Sequence, residues 1–131
     1  MVCRFQPAAW GLVWKDIPGG LVDFFSITAT AEEVSVVCAE EKIDEEILQT
    51  AEEIERDWRM LKIAGPLDFD LIGVLAKCTT VLAEAQVPVF CLSTFLTDYI
   101  LVKEPVLSAA IGALRLAGHL VEDPLSSVKE E

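Results

Sequence analysis

From residue 58 to residue 121 the hydrophobic period switches between two residues and about 3.6, and it does so in an order few folds accommodate. Trp58-Arg59-Met60-Leu61-Lys62-Ile63-Ala64 alternates apolar and basic residues and reads as a half-buried strand. Gly65-Pro66 ends it, because proline lacks the amide a strand ladder uses. Leu71, Val74, Leu75, Cys78, Leu82 and Ala85 then recur at helical spacing and define one buried face. Residues 88–95 are rich in β-favouring side chains, and residues 98–103 form their hairpin partner. Glu104-Pro105 opens a second helix, with proline where its missing amide costs nothing. Leu107, Ala110, Ile111, Leu114 and Ala117 make the buried stripe of that helix. Gly118 closes it in the left-handed role, and His119-Leu120-Val121 begins a return strand.

The order strand, helix, strand, strand, helix, strand is the split βαβ pattern of ferredoxin-like α+β folds. Val89 and Cys91 on one side of residues 88–95, with Phe90 and Leu92 on the other, require cover on both faces of the sheet. Helices cover one face; a second sheet, module or subunit covers the other. The N-terminal half repeats the order in shortened form. Residues 2–6 read as a strand and 10–15 as a short segment of undecided type. Gly19-Gly20 is a break, and 22–30 with 33–39 form a hairpin around Ala31-Glu32. Residues 44–56 read as one amphipathic helix, with Ile47, Leu48, Ala51 and Ile54 on its apolar side. The expected organisation is an abbreviated module over 1–62, a full module over 63–123 and a flexible polar tail over 124–131, the modules packed through apolar faces. Residues 58–64 either close the first module or open the second.

A chain of 131 residues with 22 acidic and 10 basic side chains carries a net charge of −12. That field excludes nucleic acid and an anionic membrane as partners and disfavours acidic ligands. No apolar run approaches the roughly 20 residues of a membrane helix. The first residues lack the apolar core of a secretory signal, so the cytoplasm is the expected location. Cys3, Cys38, Cys78 and Cys91 fit neither zinc nor disulfide spacing and are expected to be buried thiols. Trp10, Trp14 and Trp58 are expected as core or interface anchors. His119, the single histidine, has no nucleophile placed to pair with it and suits the end of the preceding helix. With no metal-ligand, phosphate-loop or dinucleotide motif either, a non-enzymatic protein without a cofactor or metal is expected.

Four segments carry a resemblance to a known family: residues 24–30 (FFSITAT), 33–38 (EVSVVC), 65–69 (GPLDF) and 93–102 (STFLTDYILV). In that order they resemble the ACT domains, small ligand-sensing modules of amino-acid metabolism. The chain is similar in particular to short tandem-ACT proteins that include the repeats of CASTOR-type arginine sensors. Where such relatives place a glycine after the first helix, this chain has Gln86, and the acidic stretch 44–56 is longer than theirs. The resemblance implies regulation through a free amino acid bound where two modules or subunits meet. The protein would be a homodimer or be attached to a larger protein. An interaction or oligomerisation module that has lost its pocket is the alternative.

Two segments are candidates for the ligand site. Gly65, Pro66, Leu67, Asp68 and Phe69 precede a helix whose free amides and dipole suit a ligand carboxylate. Asp68 is either a plain N-cap for that helix or a cap beside the ligand loop. Asp98 is placed to receive an ammonium or guanidinium, or else is a turn former at a strand end. The resemblance puts Asp98 in the pocket, with Thr94 and Phe95 as neighbours.

Overall fold

A computed structural model describes residues 1–15, 24–63, 73–122 and 127–130. The chain divides into two compact units, Met1–Asp57 and Trp58–Glu131. Each is a ferredoxin-like α+β module.

In the first unit the elements are β1 (Val2–Phe5), α1 (Trp10–Lys15), β2 (Phe25–Ala29), β3 (Val34–Cys38), α2 (Glu45–Leu48) and β4 (Glu53–Glu55). The sheet order is β2-β3-β1-β4, with every neighbour antiparallel. Cys3 stands opposite Val36 and Phe5 opposite Val34, so strand alternation turns all four to one face. Val13 of α1, Leu48 of α2 and Ile43 close over them as one core. Phe5 and Val36 have no exposed surface at all.

The amphipathic helix expected over 44–56 is not formed. Asp44 does cap a helix, accepting from the Glu46 amide at 2.9 Å, but the helix ends at Leu48. The Thr50 hydroxyl donates to the Ile47 carbonyl at 2.7 Å, and the Glu52 amide donates to the Arg4 carbonyl at 2.8 Å. That second bond draws the chain onto the edge of β1, and Arg4 pairs with Glu52 and Glu53 at 3.1 and 2.7 Å. The Ile47, Leu48, Ala51, Ile54 spacing fits a helical stripe, yet Ile54 reaches the core from a strand, opposite Cys3.

The second unit runs β5 (Trp58–Ile63), α3 (Val74–Glu84), β6 (Phe90–Ser93), β7 (Asp98–Lys103), α4 (Leu107–Leu116), β8 (His119–Glu122) and β9 (Ser127–Glu130), in the order β6-β7-β5-β9-β8. Residues 58–63, left open between the modules by the sequence, are its central strand. Leu61, Ile63, Ile100 and Val102 meet Val74, Cys78 and Leu82 of α3 and Ala110 and Leu114 of α4 in a second core. The register turns Trp58, Met60, Phe90, Leu92, Tyr99 and Leu101 to the opposite face. There the Trp58 and Phe90 rings lie 6.1 Å apart, and the Lys103 ammonium sits 4.8 Å from the Trp58 ring centre.

Three local expectations change. Ser127–Glu130, expected as part of a frayed tail, is a strand antiparallel to β8 and parallel to the end of β5. Three of its four residues are polar, so composition hides it; two neighbouring backbones supply the ladder instead. Cys91 is exposed because it lies on the edge strand β6, whereas Cys3, Cys38 and Cys78 are buried. Trp10 and Trp14 are not core residues: they are 40% and 56% exposed and stack at 5.3 Å.

Candidate functional site

The β6–β7 hairpin is held by its own side chains. Thr94 and Thr97 close the turn through an amide-to-carbonyl bond of 2.8 Å. The Thr94 hydroxyl donates to the Thr97 carbonyl at 3.2 Å and accepts from the Thr97 amide at 3.4 Å. Asp98 begins β7 opposite Ser93, whose hydroxyl donates to its carboxylate at 2.5 Å. This fixes the carboxylate at the strand end and leaves its second oxygen as an acceptor. Burial, and then the charge of Asp98, pushes the Cys91 thiol above its ordinary value.

Thr97 anchors the hairpin to the rest of the sheet. It is only 4% exposed, and its hydroxyl donates to the Ile63 carbonyl at the end of β5. Lys62 stands opposite Tyr99 in the same ladder, so the hairpin turn and the exit of β5 share one end of the sheet. Sequence reasoning singled out Thr94, Phe95 and Asp98 and passed over Thr97. A β-branched hydroxyl beside a strand is the only trace it leaves, since its partner is a backbone carbonyl 34 residues away.

The predicted residues fare unequally. Thr94 holds the turn, Asp98 sits beside Ser93, and Phe95 is fully exposed at the tip. Gly65, Pro66, Leu67, Asp68 and Phe69 lie outside the described residues. The described part of α3 begins at Val74, with Gly73 in the cap position at φ +82° and no side-chain cap. Among the described residues no cluster of three metal-ligating side chains occurs, and no helix is long and apolar enough to cross a membrane.

An ACT-domain family model matches residues 53–115, and a family model for an N-terminal domain matches residues 2–46. The chain is 33% identical over 109 residues to the rat protein named cytosolic arginine sensor for mTORC1 subunit 1, covering 79% of this chain and 33% of that protein. The human protein of the same name is 32% identical over 98 residues, covering 72% and 30%. This chain thus spans about a third of the length of the curated relatives it matches. Among solved structures, an Agrobacterium tumefaciens protein superposes with a TM-score of 0.71 at 27% identity, over 99% of this chain and 86% of that one. Aspartokinase alpha and beta subunits give 0.60 at 19% identity over 88% of each chain, a likeness of fold alone.

Proposed function

Because this chain belongs to the ACT-domain family, we propose that it is a regulatory, non-catalytic module that binds a free amino acid between residues 65–69 and the hairpin 94–98. The observation that carries the reading is the bond from Thr97 to Ile63. It ties the hairpin to Ile63 at the end of β5, and Gly65, the first residue of the segment suited to a carboxylate, is two positions further along the sequence. Asp98 and the net charge of −12 favour a neutral or cationic ligand over an acidic one. Arginine, the ligand in the relatives' name, is the first to try. The cytosolic location in that name supports a cytoplasmic protein. A homodimer or a larger protein partner supplies the second wall of the site.

A thermal-shift screen of the twenty amino acids tests the reading. At 100 times its dissociation constant a specific ligand adds about 2.7 kcal/mol, and Asp98→Ala removes that gain. No shift with any amino acid sinks the proposal.

A second reading, an interaction module without a ligand, draws on the exposed Trp10–Trp14 stack and on Leu12, 46% exposed beside it. Light scattering separates the two. On the second reading Trp10→Ser with Trp14→Ser lowers the assembled mass, and no amino acid changes the melting temperature.

A further inference from the structure

Trp10 and Trp14 are the largest apolar side chains that the described part of the first unit leaves in water. They stand one helical turn apart on α1, with rings stacked 5.3 Å apart and inclined at 30°. Val13, on the inward side of the same helix, is only 1% exposed. The helix is therefore docked on its sheet while the aromatic pair stays outside. Each tryptophan offers roughly 150–250 Å² for a partner to cover, and such side chains are the usual anchors of protein interfaces.

Most of the negative charge belongs to the same unit. Residues 1–57 carry thirteen acidic and four basic side chains, a net charge of −9 out of −12. Two of the four bases are engaged, Arg4 with Glu52 and Glu53, and Arg56 with Glu40. Glu41, Glu45 and Glu46 are exposed, just before and at the start of α2. Val13 of α1 and Leu48 of α2 enter one core, so both helices lie on the same face of the sheet. Four strands at about 4.8 Å spacing make a sheet roughly 15 Å wide, which takes two helices side by side about 10 Å apart. The aromatic pair and the three carboxylates thus share the helical side of the unit.

We propose that this side of the first unit is a docking surface for a basic, amphipathic helix of another protein. Arginine and lysine are attracted both by the carboxylates and by the faces of the tryptophan rings, and an aliphatic row covers the rest of the rings. A helix of about twelve residues is roughly 18 Å long and reaches from α1 to α2. A second copy of this chain matches the surface poorly, because a two-fold interface presents the same acidic patch from both sides. An anionic membrane is repelled by the same charge. The tryptophans are those on which the second reading above draws, but the proposal does not depend on whether the second unit binds an amino acid.

The full chain is titrated into a fluorescein-labelled helical peptide of about twelve residues, leucine on one face and arginine on the other, and anisotropy is followed at about 150 mM salt. Saturable binding is expected, at least about fivefold weaker for a peptide of the same composition scrambled to remove the leucine face. Trp14→Ser is expected to weaken it at least about tenfold. Glu41→Gln, Glu45→Gln and Glu46→Gln together should weaken it about fivefold and flatten its salt dependence. All four replaced residues are exposed, so the fold survives the test. The proposal is overturned by no saturable binding up to about 500 μM, by a scrambled or glutamate-for-arginine peptide binding as tightly, or by either variant binding like the parent protein. It is overturned equally if light scattering shows the chain alone associating through Trp14, or if neutral lipid vesicles capture it through Trp14, since a second copy or a membrane is then the occupant.

Discussion

Gln86 follows α3 with φ at +60°, a conformation that costs an L side chain roughly 1–2 kcal/mol and a glycine almost nothing. Gln86→Gly is expected to raise stability by about 1 kcal/mol in urea denaturation. Gly118 is the converse case at φ +96°. A Cβ there meets nothing within 4 Å, so Gly118→Ala should cost about 1 kcal/mol through the backbone alone. Both sites were visible in the sequence, one as a helix-ending glycine and the other as a glycine replaced. Burial pushes the Cys3 thiol up to about 11, against a partial opposing pull from the N-terminus and Arg56. A thiol raised in the folded state is protonated there while its unfolded counterpart ionises, so the unfolded state holds fewer protons between pH 9 and 11. Stability therefore falls as pH rises through that window, and Cys3→Ala should flatten the fall. At pH 8 iodoacetamide should label exposed Cys91 well before Cys3, as peptide mass mapping will read.

Elements were legible where one periodicity dominated. α3 and α4 bury the middle of the stripes their spacing gave, with Ala85 and Ala117 exposed, β7 has the bounds expected of the hairpin partner, and β6 lies within its predicted stretch though shorter than expected. The failures lie where a backbone bond outweighs the pattern. Residues 44–56 carry a helical stripe and abundant carboxylates, but the Glu52 amide finds the Arg4 carbonyl and Arg4 gathers two acids, so an edge strand replaces the second half of a helix. Nothing local in the sequence announces a partner 48 positions away. Carbon chemical shifts should accordingly be helical at 45–48 and extended at 53–55; helical values through 55 would restore the single helix. At the core of the second unit Leu82 has no exposed surface, and Leu82→Ala should cost 2–5 kcal/mol, the range for truncating a buried leucine.

At the scale of the whole molecule, two successive units of the same chain, the first βαββαβ and the second that order with strand β9 added, each enclose a separate core. The recurring order of hydrophobic periods was enough to read the second unit and to suspect the first. The first stayed blurred because its helices are short: α1 has six residues and α2 four, too few for a stripe to declare itself. The candidate site was half legible. Asp98 drew notice as an acid at a strand end, whereas its hydroxyl donor Ser93 and the anchoring Thr97 emerge only from the fold. Native mass spectrometry of the purified chain with each amino acid at millimolar concentration tests the ligand directly. The expected spectrum adds the mass of one neutral or cationic amino acid per site, an adduct that Asp98→Ala loses. A spectrum with no adduct for any of the twenty, or with an adduct that Asp98→Ala leaves unchanged, contradicts it.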